Sequence, residues 1–88
     1  MYNLEIKEPA IEIFDKLEKR NRALLQMINK KILQIREYPY HFKPLHAPMH
    51  NVRRVHITKS FVLTYMIDEN TKTINIIDFD HHDNIYKK

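Results

Sequence analysis

The sequence contains no glycine and no cysteine among its 88 residues, and each absence excludes a class of structure or chemistry. Without cysteine there are no disulfides, no thiolate metal ligands and no cysteine nucleophile. Without glycine, every turn that requires a positive φ has to use another residue, and asparagine and aspartate tolerate that conformation best. We therefore expect Asn21, Asn51, Asn70 and Asn84 at such turns.

Long hydrophobic runs are also missing. No apolar stretch approaches the roughly 18 to 20 residues that cross a membrane, and the opening MYNLEIKEPA lacks the basic and then apolar segments of a signal peptide. A chain of 88 residues supports only one core. We therefore predict a single domain, residues 1–88, in a soluble cytoplasmic protein without membrane contacts.

Positive charge is concentrated in the middle of the chain. The net charge is +4, but residues 16–60 alone hold eleven lysines and arginines against two acids. Residues 1–15 carry a charge of −3 and residues 61–88 a charge of −2. A basic centre favours an anionic partner, with nucleic acid the first candidate. Ordinary solvated helix faces rich in lysine are the alternative explanation.

The apolar pattern predicts six elements in the order βααβββ. Strict alternation indicates strands, and apolar residues at steps of three and four indicate two helices separated by a break at Asn21. Pro39 ends the second helix. The predicted elements are strand 2–6, helix 9–19, helix 22–37 and strands 52–57, 60–67 and 73–80.

These elements predict an α+β fold, an antiparallel sheet with an N-terminal helical hairpin packed on one face. Alternation then assigns Arg54, His56 and Met66 to the other face. That set is too polar for a second core, so we expect this face to be open, concave or covered by a partner.

The segment DFDHHDNIY, residues 78–86, concentrates groups that bind metals or transfer protons. Three explanations are open: a metal site, acid/base groups acting on a nucleic acid, and a polar strand end without chemistry. A metal needs three or four ligands at one point, whereas strand alternation places Asp78 and Asp80 on one face and His81 on the other. We therefore predict no metal and no other cofactor.

Several motifs occur together in an order that resembles the RelE/ParE family of toxins from type II toxin–antitoxin systems. The resemblance covers nearly the whole chain and rests on the order and spacing of motifs that are individually unspecific. The motifs are Glu37-Tyr38-Pro39 at the end of the second helix, Pro44-Leu45, the basic strand Val52 to Ile57, Val62-Leu63-Thr64-Tyr65 and the closing His81 to Tyr86.

This resemblance implies a RelE-like fold and an mRNA endoribonuclease. RelE-like members cut messenger RNA in the ribosomal A site, without a metal, by activating a ribose 2′-hydroxyl against the adjacent phosphate. Carried over by position, Arg54 and His56 fall on the strand that lines the scissile phosphate. His82, or alternatively His81, falls where some members have a catalytic histidine, and Tyr86 matches the terminal aromatic residue.

The chemistry of RNA cleavage gives each of these residues a role. The reaction needs a base, an acid and cations for the charge that develops at phosphorus. His82 and His56 are the proton-transfer candidates, Arg54 clamps the phosphate, and Tyr86 stacks on a base. Alternatively, all four are polar or anchoring residues of an exposed sheet. We expect the loop histidines His41, His46 and His50 to be surface residues, and the predicted contacts to the RNA backbone are Lys30, Lys31, Lys43 and Arg53.

One departure from the family pattern keeps two functions open. The arginine that usually begins the third-strand motif is Val62 in this chain. The first function is a ribosome-dependent mRNA interferase, neutralised by a cognate antitoxin and bound to operator DNA only within the antitoxin complex. The second is a non-catalytic binding protein on the same fold, either a gyrase poison like ParE or an inactive toxin relic. Val62 favours the second, whereas Arg54 and the histidines favour the first.

Overall fold

A four-stranded sheet separates two long helices on one face from a short helix on the other. The computed structural model describes residues 1–45 and 51–87. In chain order the elements are β1 (Asn3–Ile6), α1 (Ala10–Arg20), α2 (Arg22–Glu37), β2 (Arg53–His56), β3 (Phe61–Asp68), β4 (Thr73–His81) and α3 (His82–Lys87). No helix within the described ranges is long and apolar enough to cross a bilayer.

Asn21 joins the two long helices, as the sequence predicts. The Asn21 backbone N–H donates to the Leu17 carbonyl at the end of α1, and its side chain accepts a hydrogen bond from the Leu24 N–H at the start of α2. The residue thus caps both helices, since its side-chain oxygen satisfies one of the unpaired N–H groups of a helix start. Asn21 alone therefore connects the two helices of the hairpin.

The sheet has the strand order β1-β4-β3-β2. The pairs β2–β3 and β3–β4 are antiparallel, as expected, but β1 pairs in parallel with β4. Since β2, β3 and β4 alternate in direction, β1 runs the same way as β2, and the helical hairpin lies between these two strands in the chain. The predicted α+β fold with the hairpin on one face is confirmed, with β1 as the one parallel neighbour in the described sheet.

The main core lies between the helical hairpin and the sheet. Its members come from the predicted apolar stripes of α1 and α2, from alternate positions of the second and third predicted strands, and from β4. The faces predicted for residues 52–57 and 60–67 are confirmed. The buried members are Ala10, Phe14, Ile28, Ile32, Ile35, Val55, Ile57, Leu63, Tyr65, Ile74, Ile76 and Phe79. Burial of this apolar surface is the dominant stabilising contribution, at about 25 cal/mol per Å².

The polar group of Tyr65 is satisfied inside this core. The side chain is fully buried, and its hydroxyl donates a hydrogen bond of 2.7 Å to the Pro39 carbonyl. This bond ties the centre of β3 to the segment that follows α2. It therefore fixes the start of the connection that leads to β2.

Replacing Tyr65 with phenylalanine tests this bond. The variant leaves the Pro39 carbonyl without its donor, so we expect the free energy of unfolding at neutral pH to fall by about 1–2 kcal/mol. Burial raises the pKa of the Tyr65 hydroxyl from 10.0 to about 12. The stability it contributes is therefore fully present below pH 10 and is lost as the pH rises through 12. Urea unfolding at neutral and alkaline pH measures both effects; equal alkaline losses in the wild type and Tyr65→Phe would contradict the second.

The outer face, which is the sheet surface turned away from α1 and α2, carries a second apolar cluster. Leu45, Val52, Val62 and Ile85 are buried together, with Met66 and Ile77 partly buried against them. The expectation that this face is too polar for a core is therefore wrong. The reason is α3, which the sequence analysis did not predict: it turns the chain back after β4 and places Ile85 against Val62.

An irregularity in β4 sets which side chains reach the outer face. Thr64 pairs with Asp78 and Tyr65 with Ile76, so Ile77 is an extra residue between two regular pairs. Such a bulge shifts the alternation by one position. As a result Ile77 packs in the outer cluster and Asp78 faces the same side as Thr64.

The prediction that asparagine takes the positive-φ positions is wrong for the described residues. There the positive φ belongs to Lys72, at 51°, in the β3–β4 turn, and Asn21 has a φ of −154°. The left-handed conformation costs a residue with a side chain about 1–2 kcal/mol. The Lys72 carbonyl accepts a hydrogen bond of 2.8 Å from the Asn3 N–H, so this turn residue also contacts the start of β1.

Candidate functional site

Arg54 and His56 lie on the outer face of β2. They alternate with Val55, which belongs to the main core, and they stand opposite Thr64 and Val62 on β3. His56 is exposed and Arg54 is half-buried. The structure thus brings these two predicted residues to one surface, two positions apart on the same strand.

Two carboxylates on β4 lie in line with Arg54 and His56 across the strands of the sheet. Asp78 pairs with Thr64, and Asp80 pairs with Val62, so each acid lies two strands away from Arg54 or His56. Neighbouring strands are about 4.8 Å apart, which separates each acid from its row partner by about 10 Å along the backbone. Asp78 is buried, with 6% of its surface exposed. The outer face therefore carries Arg54 and His56 on β2 and two acids on β4, with the buried Thr64 and Val62 between them.

Arg53 lies on the opposite face of β2 from Arg54. Its guanidinium donates a hydrogen bond of 2.6 Å to the Phe42 carbonyl and lies 5.0 Å from the centre of the Tyr40 ring. These contacts hold the segment after α2 against β2. The adjacent arginines therefore have different surroundings, although the sequence assigns both to RNA contacts.

Alanine substitutions separate the roles of the two arginines. We expect Arg53→Ala to lower the free energy of unfolding by about 2 kcal/mol, because the Phe42 carbonyl loses a charged donor. Arg54→Ala is expected to change it by no more than about 0.5 kcal/mol, as is usual for surface substitutions. Urea unfolding of both variants checks the difference. Equal losses would show that Arg53 has no special structural role.

His82 is the first residue of α3, at the end of β4. Its N–H donates to the Ser60 carbonyl at 2.8 Å, which fixes its backbone beside the start of β3. Its imidazole stacks on that of His81, with ring centres 4.7 Å apart, and its Nδ1 lies 3.0 Å from an Asp83 carboxylate oxygen. The described contacts of the His82 ring are thus with residues of its own segment.

Tyr86, which matches the family's terminal aromatic residue, lies on the short helix α3. It is 37% exposed, next to the buried Ile85. Because Ile85 anchors the helix to the outer cluster, Tyr86 is held at the surface of the same structural unit as His82.

The predicted site residues therefore form two groups. Arg54 and His56 share β2, whereas His82 and Tyr86 share α3. His56 stands opposite Val62, and the His82 backbone is hydrogen-bonded to Ser60, the residue just before β3. From the strand spacing, about 10 Å separates β2 from β4, a distance that a ribose-phosphate unit with two side chains can span.

The predicted backbone-contacting lysines are dispersed. Lys30 and Lys31 belong to α2, on the other side of the sheet from Arg54, and the Lys31 ammonium lies 6.0 Å from the centre of the Phe42 ring. Lys43 is exposed next to β2, and its carbonyl accepts the Arg54 N–H at 3.0 Å. Of these three lysines, Lys43 is therefore the one whose backbone contacts Arg54.

Of the three loop histidines, His41 lies among the described residues. His41 is exposed, and its ring meets that of Phe42 edge-on at 5.0 Å. His46 and His50 lie outside the described residues. Within the described ranges, His41 lines a shallow depression with Gln34, Tyr38 and Phe42 on the helical side of the molecule.

A larger depression, of about 660 Å³, lies at the other end of the outer face and contains none of the predicted site residues. Met66 and Ile77 form part of its floor, and Glu69 lies at its edge. The Tyr2 hydroxyl donates to Glu69 at 2.6 Å, which lowers the pKa of the Glu69 carboxyl and raises that of Tyr2 to about 12. The open, mostly acidic rim does not favour an RNA phosphate.

The partners of His82 are His81 and Asp83, which were not predicted to meet. His81 Nδ1 lies 3.7 Å from Asp83 and accepts a hydrogen bond of 3.2 Å from the Asp83 N–H. The three side chains meet because the chain changes from strand to helix between residues 81 and 82. The sequence contains one sign of a helix start at this point, because Asp83 is an acid in the first turn of α3.

Comparison with known proteins assigns the chain to a family. Residues 4–86 match the model of the ParE toxin of the parDE type II toxin–antitoxin system. The chain is 50% identical to a protein of Methanocaldococcus jannaschii assigned as toxin RelE4, over 88 residues that span all of this chain and 94% of that one.

Two solved structures have the same fold. The YoeB/ParE toxin from Agrobacterium tumefaciens superposes with a TM-score of 0.82 at 15% identity, covering 91% of this chain and 98% of that one. A chain of the intact RelBE toxin–antitoxin complex of E. coli gives 0.78 at 18% identity, covering 92% and 96%. The match to the family model and the relative at 50% identity show that the chain belongs to the RelE/ParE family of type II toxin–antitoxin toxins.

Proposed function

We propose that this toxin is a cytoplasmic endoribonuclease that cuts messenger RNA in the ribosomal A site. The observation that carries the proposal is the position of Arg54 and His56, side by side on the outer face of β2. They provide a permanent cation and a proton-transfer group on one surface. These are two of the three functions that cleavage by a neighbouring 2′-hydroxyl requires.

His82 supplies the third function in this mechanism. With RNA lying across β3, Arg54 binds the scissile phosphate, and one of the two histidines takes the 2′-hydroxyl proton. The other histidine protonates the departing 5′-oxygen, and the phosphate is left cyclic. No metal takes part in these steps. The spacing of about 10 Å between β2 and β4 leaves room for one nucleotide between the groups, and Tyr86 on α3 is available to stack on its base.

A specific observation favours a second candidate, a non-catalytic toxin that acts by binding. Val62 occupies the family arginine position and has no exposed surface, because Ile85 packs against it. The middle of the proposed cleft is therefore apolar where related enzymes have a cation. A gyrase poison or an inactive relic on this fold would not need that cation.

We further propose that an antitoxin neutralises the protein. One structural neighbour is part of an intact toxin–antitoxin complex, and the basic segment 16–60 of this chain offers complementary charge to an acidic partner. Covering β2 with a helix or strand would remove Arg54 and His56 from RNA. Operator DNA would then be bound through the antitoxin and not by this chain alone.

Primer extension on messenger RNA from cells induced for the toxin tests the proposed activity. We expect cuts at codons positioned in the ribosomal A site, and loss of those cuts when translation is blocked before ribosomes load. Growth arrest with intact messenger RNA would overturn the nuclease proposal and support the binding toxin.

A further inference from the structure

Three consecutive side chains at the β4–α3 junction converge on one point. His81, His82 and Asp83 each offer one ligand atom, and these atoms lie within 4.8 Å of one another. Side chains alternate across a strand but turn by about 100° per residue in a helix. Since β4 ends at His81 and α3 begins at His82, alternation does not keep these three apart.

The distances are close to those of a bound transition metal. In a tetrahedral site with metal–ligand bonds of 2.0–2.2 Å, neighbouring ligand atoms are about 3.3–3.6 Å apart. His82 Nδ1 lies 3.0 Å from one Asp83 oxygen, and His81 Nδ1 lies 3.7 Å from the other. These separations lie on both sides of the tetrahedral range, and all three ligand atoms lie within 4.8 Å of one another. To bind an ion, the side chains have to draw together and His81 Nδ1 has to release the Asp83 N–H.

The surroundings hold the ligands in place. The His81 ring meets Phe61 edge-on at 5.9 Å, and Phe61 stacks on the core residue Phe79 at 5.4 Å. An Asp80 carboxylate oxygen accepts hydrogen bonds from the His81 N–H at 2.7 Å and from the Asn84 side chain at 3.1 Å. These contacts connect the strand end to α3 and restrict the backbone that carries all three ligands.

We propose that His81, His82 and Asp83 form a binding site for a divalent transition metal such as Zn²⁺. Two imidazoles and one carboxylate are donors that Zn²⁺, Cu²⁺ and Ni²⁺ prefer, whereas Mg²⁺ and Ca²⁺ prefer oxygen ligands. The side chains of His81 and His82 are 41% and 39% exposed, so an ion reaches them from solvent and keeps water in the remaining position.

Such an ion has a consequence for RNA cleavage. It occupies a nitrogen of His82 and withdraws it from proton transfer, so Zn²⁺ inhibits the toxin. This consequence rests on the proposed nuclease function, whereas the metal site itself does not. Binding measured on the isolated protein therefore distinguishes failure of the site from failure of the nuclease proposal.

Calorimetric titration of the tag-free protein with ZnCl₂ tests the site. We expect one Zn²⁺ per chain, with affinity reduced at least about tenfold in His82→Ala and in Asp83→Asn, since even loss of a residue that supports a ligand costs that much. Asp83→Asn keeps the shape of the side chain, so a folded variant is available if His82→Ala is unstable. His41→Ala removes an exposed histidine elsewhere and is expected to bind as the wild type does.

Three results would overturn the proposal. The first is the absence of Zn²⁺ binding by the folded wild type at millimolar metal. The second is binding that His82→Ala and Asp83→Asn leave unchanged, or that His41→Ala weakens equally. The third is Mg²⁺ binding as tight as Zn²⁺ binding, which would exclude imidazole ligands.

Discussion

His82→Ala is expected to lower the rate of messenger RNA cleavage on purified ribosomes by about 10² to 10⁴, the usual contribution of a positioned acid or base. His82 is exposed enough to meet RNA, with 39% of its side chain accessible. The variant retains the backbone bond from residue 82 to the Ser60 carbonyl, so the position of α3 is preserved. The measurement is single-turnover cleavage of a programmed ribosome, quantified by primer extension.

The control for His82→Ala is His41→Ala. His41 is also exposed, but it lies beside Phe42 and Tyr38 on the helical side of the molecule, so we expect wild-type cleavage. A His82→Ala toxin that cuts at the wild-type rate would exclude His82 from the chemistry and leave His56 as the histidine to test. The assay contains a chelator selective for transition metals over the Mg²⁺ that ribosomes need, so that occupancy of the proposed metal site does not affect the comparison.

The long elements of this fold could be predicted because their apolar residues repeat often enough to define a face. Helix α2 spans 16 residues and has the predicted bounds, Arg22–Glu37. Helix α3 spans six residues, too few for the helical period to show. Its apolar anchor, Ile85, is buried only because Val62 and Val52 form a surface for it, a long-range contact that a local pattern does not contain.

The same limit explains what could be predicted of the site. Alternation correctly assigned Arg54 and His56 to one face of β2. It also correctly placed His81 on the opposite face from Asp78 and Asp80. It could not place His82 and Asp83, because they lie beyond the strand. The convergence of His81 with Asp83 depends on the change from β4 to α3 at residues 81 and 82, and a helix as short as α3 leaves no periodic pattern in the sequence.

Val62→Arg restores the residue that the family resemblance implies, and we expect it to destabilise the protein without restoring a phosphate clamp. Val62 has no exposed surface and is packed with Ile85, Leu45 and Val52. A buried charge without a partner in place costs about 3–5 kcal/mol, and the Asp80 carboxylate across from residue 62 is already engaged by the His81 N–H and the Asn84 side chain. Met66→Arg is the matched control, because Met66 lies on the same face of β3 but is only half-buried, so its guanidinium reaches water. Urea unfolding of the two variants measures the difference.

The opposite result for Val62→Arg would indicate a movement of α3. If Val62→Arg unfolds at the same urea concentration as the wild type and cleaves RNA faster, α3 has moved away and the arginine side chain has reached the outer face. Hydrogen exchange of residues 82–87 distinguishes this case, because release of α3 removes the protection that its contact through Ile85 provides. The packing of Ile85 on Val62 would then be a reversible cover over an otherwise complete RNA site. A large loss of stability would instead show that the apolar cluster has permanently replaced the cation in this toxin.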